Sequence, residues 1–341
     1  MPHAVVFGGT GVLGRAAAQQ LISSGWSVDI IGRNSLHVPQ TLLDAGAIFK
    51  SLNRYQPEAL RSALSAGANL LLDGLCFTAQ HAQQLLPALP GIGHTVMLSS
   101  KAVYIDDQGR HINSEEPPRF PGSIRENQAT MSPGYADYQS QEGYGANKVA
   151  AEQVLLDSGY PVSVVRASKV HGAGAARPRE WVFLKRILDR RPAVFLANRG
   201  LGADHTTAAV NTAALIARIA LLPGQRILNS ADPDAPDGLE IARAIAEHMG
   251  YEWQEILLEP GQSDLGTHPW DFTPPIVLDT SAAKALGYQP VGGFRETIGL
   301  ELDWLLAQVE AGRAPAADDP FFGQYLDYAA EDAYLREAMP R

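Results

Sequence analysis

Ala4-Val5-Val6-Phe7-Gly8-Gly9-Thr10-Gly11-Val12-Leu13-Gly14, running on into Arg15-Ala16-Ala17-Ala18-Gln19-Gln20-Leu21-Ile22, reads as a buried strand, a glycine turn and the start of a helix. Within it, Gly9-x-Gly11-x-x-Gly14 has the spacing of a dinucleotide-binding turn. Glycines there permit the tight turn, let the backbone approach a pyrophosphate and let helix pack on strand. The helix N-terminus then faces the phosphates. Gly8, Gly9, Thr10, Gly11, Val12, Leu13 and Gly14 are therefore the candidate cofactor-binding residues.

Outward from this turn, short apolar runs alternate with helical stretches as far as Val170, the pattern of a parallel sheet built from βαβ units. Strands are predicted at Ala4–Phe7, Ser27–Ile31, Ala47–Phe49, Leu70–Leu72, Thr95–Leu98 and Val162–Val165, and helices at Gly11–Ser23, Pro57–Ala66, Ala79–Leu86 and Gly145–Ser158. The fold class is α/β, a doubly wound parallel Rossmann-type sheet with a smaller C-terminal substrate-binding lobe. The first domain is expected over residues 1–172, with 205–230 returning to it. The lobe takes 173–204 and 231–315, and a tail follows over 316–341. In the C-terminal part, Thr206–Leu222 reads as a helix, Arg226–Ser230 as a strand, and Leu239–Met249, Ser281–Leu286 and Phe294–Val309 as helices.

A chain of 341 residues exceeds the roughly 250–300 at which single cores divide, which accords with two lobes. Its 27 Lys+Arg against 37 Asp+Glu, a net charge of −10, argue against a nucleic-acid or anionic-membrane surface. The single cysteine, Cys76, rules out an internal disulfide framework and suits a reducing cytoplasm. No segment approaches the ~18 apolar residues of a membrane span, so a soluble cytoplasmic protein is expected.

The second strand ends at Gly32-Arg33-Asn34, nineteen residues past Gly14, where an NAD site would place a carboxylate on the ribose 2′-hydroxyl. Arg33 suits a 2′-phosphate instead, which favours NADP over NAD. Asn53, past the third strand, is a candidate neighbour of the adenine. The stretch from Tyr104 to Tyr144 has neither helical nor strand period and reads as a lid beyond the fifth strand. Lys185, Arg186, Arg190 and Arg191 form a basic group that is either a solvated face or a clamp for an anionic substrate. The aromatic tail, with Phe321, Phe322, Tyr325, Tyr328 and Tyr334, is expected to dock on its own domain or on a partner subunit.

Tyr144 and Lys148 stand four residues apart and share one helix face. A tyrosine of ordinary pKa, about 10, is a poor base at neutral pH, and a neighbouring ammonium stabilises its phenolate. Ser100, at the end of the fifth strand, can hydrogen-bond a substrate oxygen while Tyr144 exchanges its proton. Ser100, Tyr144 and Lys148 are the candidate catalytic residues.

Together, Gly8 to Gly14, Ser99-Ser100-Lys101-Ala102-Val103-Tyr104, Tyr144 to Lys148, Arg166 to Gly172 and Leu278 to Pro290 resemble the extended short-chain dehydrogenase/reductase family, the NAD(P)-dependent epimerase/dehydratase group. The resemblance implies that Ser100 orients the substrate oxygen, Tyr144 carries the proton, and Lys148 lowers the phenol's pKa and holds the nicotinamide ribose. It also implies a homodimer joined by Ala79–Leu86 and Gly145–Ser158. There are departures. Lys101-Ala102 stands where the sugar dehydratases carry Asp-Glu, which argues against 4,6-dehydratase chemistry. Lys169 and His171 replace a common asparagine and tyrosine, and the 105–143 loop is longer than usual.

Lys101, Lys169 and His171 are the candidate substrate-binding residues. Lys169 alternatively reads as a solvated lysine, and His171 as a packing histidine. Asp204-His205 is assigned no metal, because adjacent residues face different ways. The expected protein is an NAD(P)-dependent oxidoreductase or epimerase acting on a hydroxyl/ketone carbon of a small molecule such as a sugar nucleotide. The rival is a non-catalytic NAD(P)-sensing regulator on the same fold.

Overall fold

The computed structural model describes residues 1–263, 265–316 and 318–338. Its strands are β1 His3–Phe7, β2 Ser27–Gly32, β3 Ile48–Ser51, β4 Leu70–Asp73, β5 Thr95–Ser100, β6 Val162–Ala167, β7 Lys169–His171, β8 Ala193–Leu196, β9 Thr206–Ala208, β10 Arg226–Ser230 and β11 Gln254–Leu257. Its helices are α1 Val12–Ser23, α2 Gln40–Asp44, α3 Pro57–Leu64, α4 Ala79–Gln83, α5 Gln141–Leu156, α6 Trp181–Leu188, α7 Ala209–Ala220, α8 Gly238–His248, α9 Ser281–Ala285, α10 Phe294–Thr297, α11 Gly299–Glu310, α12 Pro320–Gly323 and α13 Tyr328–Ala338.

Seven strands form one parallel sheet in the order β10-β6-β5-β4-β1-β2-β3. Side chains alternate across each strand, so β1 buries Ala4 and Val6 on one face and Val5 and Phe7 on the other. Helices α1 and α7 cover the first face, where Ala17 and Ala18 bring them close to the strands, and α3, α4 and α5 cover the second. The chain leaves β1 toward β2 and β3, then resumes on the other side at β4. Ligands bind α/β sheets at such a switch point, beyond the strands' carboxyl ends. Gly8, Asp73, Ser100 and Ala167 all stand at that edge, with Ser100 opposite Ala167 in the β5–β6 register.

The smaller lobe packs α6, α8, α10 and α11 around Trp181, Phe183, Ile245, Trp270 and Leu302, beside a parallel β8–β11 pair. The tail docks on this lobe. Phe322 is buried in its core, and α13 is held by Arg186–Glu331 at 2.6 Å and Arg191–Asp332 at 2.5 Å, with Tyr328 beneath both guanidinium groups. Two members of the basic group are thus neither a solvated face nor a substrate clamp; they fasten the C-terminus.

Of the element boundaries that differ from the sequence reading, four are instructive. Residues 206–208, read as helix, are β9, paired with β7. The helix expected to reach Leu86 stops at Gln83, and Pro87 and Pro90 turn the following residues into a 3₁₀ segment. The Phe294–Val309 helix is two segments that meet at Ile298-Gly299. Finally, α5 begins at Gln141, four residues before the expected Gly145, because the Ser140 side chain accepts from Gly143 N–H at 2.9 Å and caps it. The loop before it is packed down through Ile112, Phe120, Ile124 and Met131. Among the described residues, no helix is long and apolar enough to cross a membrane.

Candidate active site

The glycine turn is shaped by close approach. A Cβ on Gly9 would lie 2.4 Å from Ile30 Cγ2, and one on Gly14 2.2 Å from the Gly8 carbonyl oxygen. Gly8 itself has φ +79°, the left-handed region that glycine alone enters at no steric cost. Gly11 is the N-cap of α1 and offers no side-chain cap, so first-turn N–H groups remain available to a ligand. Gly8, Gly11, Val12, Leu13 and Gly14 border a cleft of about 820 Å³ that continues past β5 to the tail. The bare turn and the uncapped helix end fit a dinucleotide's phosphates.

Ser100, Tyr144 and Lys148 stand on the wall of the same cleft. Ser100 Oγ accepts from Ala102 N–H at 3.2 Å, and the Ser100 side chain is close enough to the Tyr144 phenol to favour its ionised form. The Lys148 ammonium donates to the carbonyls of Cys76 and Leu98, both at 2.8 Å, and lies 4.3 Å from the centre of the Phe77 ring. Burial holds its pKa down at about 8, against the opposing pull of Cys76, Asp73 and Glu152. Burial likewise raises the Tyr144 phenol above its ordinary value, opposed only by the Ser100 side chain. The expected lowering of the phenol's pKa by Lys148 is therefore not the balance struck here. The ammonium is 5.9 Å from the ring centre and is committed to two carbonyls.

One helical turn beyond Lys148, Glu152 accepts from Ser99 Oγ at 2.5 Å and from Arg166 at 2.6 Å, all three side chains being buried. This ties the Tyr144 face of α5 to β5 and β6. At the other side of the glycine turn, Arg54 and Asp73 form a buried pair at 2.7 Å. It joins the end of β3 to β4, with Arg54 also donating to the His81 carbonyl. Cys76 lies beneath, its thiol pushed up to about 12 by burial and then by Asp73, which makes it inert as a nucleophile.

Lys101 and Lys169 both border the cleft, as the sequence suggested, but they converge on one buried carboxylate. Lys169 Nζ is 2.7 Å from Asp204 Oδ2, and Lys101 is paired with Oδ1 of the same residue. Arg179 adds a third cation to this wall. Burial, then the charges of Lys169 and Arg179, pushes Lys101 well below the usual lysine range. Burial and Arg179 do the same to Lys169.

His171 takes the packing alternative, against Phe294, rather than the substrate-binding one. It is buried on a second cleft, with Nε2 3.0 Å from Asp232, and does not border the first, so the substrate contact expected of it is not one the fold makes. Arg33 and Asn53 lie together in a shallow depression of about 500 Å³ past β2 and β3; Arg33 is exposed and Asn53 accepts from Tyr55 N–H at 3.1 Å. His205 turns away from Asp204 and takes the Leu278 N–H at 3.0 Å.

Sequence reading missed Phe77, Phe272, Phe321 and Tyr325 as cleft residues. Three come from C-terminal segments whose route back to the sheet has no local signature. Of the long loop, only Ile112, Asn113 and Ser114, with Gln141 at the start of α5, reach the cleft.

No family model and no curated protein matches the sequence. The fold does have counterparts among solved structures. UDP-glucose 4-epimerase of Thermotoga maritima, solved with UDP-glucose, superposes with a TM-score of 0.65 at 17% identity, covering 90% of this chain and 99% of its own. UDP-glucuronic acid 4-epimerase of Bacillus cereus, in complex with UDP-glucuronic acid and NAD, gives 0.64 at 15% identity over 90% and 99%. The dTDP-glucose 4,6-dehydratase of Bacillus anthracis, in complex with NAD, gives 0.66 at 12% identity over 91% and 98%. The chain has the fold of these epimerase and dehydratase structures.

Proposed function

We propose that the protein is an NAD(P)-dependent oxidoreductase or epimerase acting at a hydroxyl/ketone carbon of an anionic substrate, with a sugar nucleotide as the leading class and NADP as the preferred cofactor. One observation carries the reading: the glycine turn, Ser100, Tyr144 and Lys148 border a single continuous cleft. The turn from Gly8 to Gly14 would hold the pyrophosphate, and Arg33 the 2′-phosphate. When bound, the cofactor supplies or accepts hydride.

Around it, the chain's own groups handle the proton. Ser100 orients the reacting oxygen. Tyr144, a neutral phenol at neutral pH, is poised to donate to a ketone oxygen, and in the reverse sense the phenolate so formed receives the proton back from a hydroxyl. Lys148, fixed beneath Phe77, sets the local field and would hold the nicotinamide ribose. Lys101 and Lys169 share the buried Asp204 on the cleft wall, where burial and the nearby Arg179 guanidinium disfavour both ammonium groups. An incoming phosphate or carboxylate relieves that cost, which is why the substrate is read as anionic. The structural counterparts solved with UDP-sugars support the nucleotide-sugar class. In solution the protein is proposed to be a homodimer through α4 and α5; a monomeric mass by light scattering at micromolar concentration would count against that.

The test is a screen of nucleotide sugars and hydroxy acids with NADP(H) and NAD(H), repeated with Tyr144→Phe. Turnover should fall by roughly 10²–10⁴-fold while cofactor affinity stays nearly unchanged. Tight cofactor binding with no turnover on any substrate, and no effect of the substitution, would favour the sensor reading instead.

A further inference from the structure

His171, Glu180 and Glu301 come from three separate segments: the end of β7, the residue capping α6, and α11. All three are almost completely buried, and one nitrogen and two carboxylate oxygens, one from each, lie within 4.8 Å of one another. Ligand atoms at ~2.0–2.2 Å from a shared ion stand roughly 3–4 Å apart, so the cluster needs little adjustment to hold one. Two of its atoms are unprovided for: His171 Nδ1 and Glu301 Oε1 have no hydrogen-bond partner although buried. Buried polar atoms are seldom left so without a reason.

The other atoms of the cluster are firmly placed. His171 Nε2 is 3.0 Å from Asp232, whose second oxygen accepts from Ala208 N–H at 2.6 Å and Asn211 Nδ2 at 2.8 Å. This is the carboxylate–imidazole arrangement that orients a metal-binding histidine, and it leaves Nδ1 as the free coordinating atom. Glu301 Oε2 accepts from Gly172 N–H at 2.6 Å, which turns Oε1 toward Glu180.

We propose that His171, Glu180 and Glu301 form a binding site for a single divalent transition ion, Zn²⁺ being the best match to one imidazole and two carboxylates. The carboxylates of Glu180, Glu301 and Asp232 outnumber the Arg179 guanidinium beside them, and a doubly charged ion would offset that excess. Burial and Glu180 push the Glu301 carboxyl well above its usual range, the cost that a cation would remove. The second cleft, about 810 Å³ and bordered by His171, Gly172, Thr297 and Leu300, gives the ion a route in. The ion would staple residues 171–180 to the C-terminal lobe. Its place is structural, since that segment presents Arg179 to the first cleft while His171 and Gly172 face the second.

The experiment uses the full chain, stripped with EDTA, incubated with Zn²⁺ or, in a parallel arm, Mn²⁺, desalted and assayed for metal by elemental analysis, with thermal unfolding recorded alongside. Wild type should retain one equivalent of Zn²⁺ and melt at a higher temperature than the stripped protein. Glu301→Gln keeps an oxygen for the Gly172 N–H and should fold but bind at least ~10-fold more weakly; Asp232→Asn should lose ~10–100-fold. Should Glu301→Gln fail to fold, Glu180→Gln carries the same expectation. A wild type that retains neither ion, or a folded glutamine variant that retains as much as wild type, overturns the site. The first result would mean that the two glutamates share a proton, the second that the ion sits elsewhere.

Discussion

Lys148 is a buried cation with named neighbours, and its energetics can be worked through. Its pKa falls from an ordinary 10.5 to about 8 on folding, chiefly by burial. That corresponds to about 3 kcal/mol of preference for the neutral amine. The unfolded chain keeps this proton up to about pH 10.5 and the folded chain only up to about pH 8. Between those values the unfolded state binds more protons, so stability rises with pH. From pH 7 to pH 9.5 this group alone should add ~2 kcal/mol.

Lys148→Met removes the titration while keeping the side chain's length over Phe77. Its cost is two carbonyls, Cys76 and Leu98, that lose their donor, roughly 1–3 kcal/mol each and independent of pH. Urea unfolding of both proteins at the two pH values isolates the effect, because other titrating groups cancel in the difference. Wild type should gain about 2 kcal/mol more than the variant on going to pH 9.5, with the urea dependence unchanged. Equal gains in the two proteins would refute the argument and place the Lys148 pKa near that of an exposed lysine.

Two further outcomes follow from named contacts. Arg33→Ala should weaken NADP(H) by roughly 10–100-fold in calorimetric titration and leave NAD(H) unaffected, a charged hydrogen bond to a phosphate being the only contact removed; equal wild-type affinities for the two cofactors would rule out the 2′-phosphate role. Glu331→Ala leaves Arg186 buried without its carboxylate, at a cost of about 3–5 kcal/mol, and should expose the chain after Glu310 to limited proteolysis while the sheet remains resistant.

How much of this was legible in the sequence depends on the distance over which each signal acts. The glycine turn, the strands and the Tyr144–Lys148 face are local patterns of period or spacing, and they are found where they were read. Glu152 was also within reach, since it continues the same face by one more turn. The partners of Arg54 and of Arg186 were not. Asp73 lies at the end of the next strand and Glu331 at the far end of the chain, and a charged residue looks the same in sequence whether it meets solvent or a buried carboxylate. Which of the two readings of His171 holds, substrate contact or packing, was not legible for the same reason. The residue that fixes its orientation, Asp232, lies just past β10, in a turn with no motif of its own.

The contrast is sharpest at Lys101 and Lys169. The chain as a whole carries −10, and composition alone would predict a surface that repels anions. Net charge governs the long-range field, which salt screens within about 8–10 Å, whereas a buried cleft is governed by the charges that line it. Here two lysines meet a single buried aspartate. A neutral substrate would leave that excess uncompensated, and a single negative charge would balance it. The acidic exterior then slows the approach of anions without setting which one binds, and selectivity rests with the side chains next to Ser100. Raising ionic strength should therefore speed substrate association, by screening the exterior, more than it weakens the bound complex.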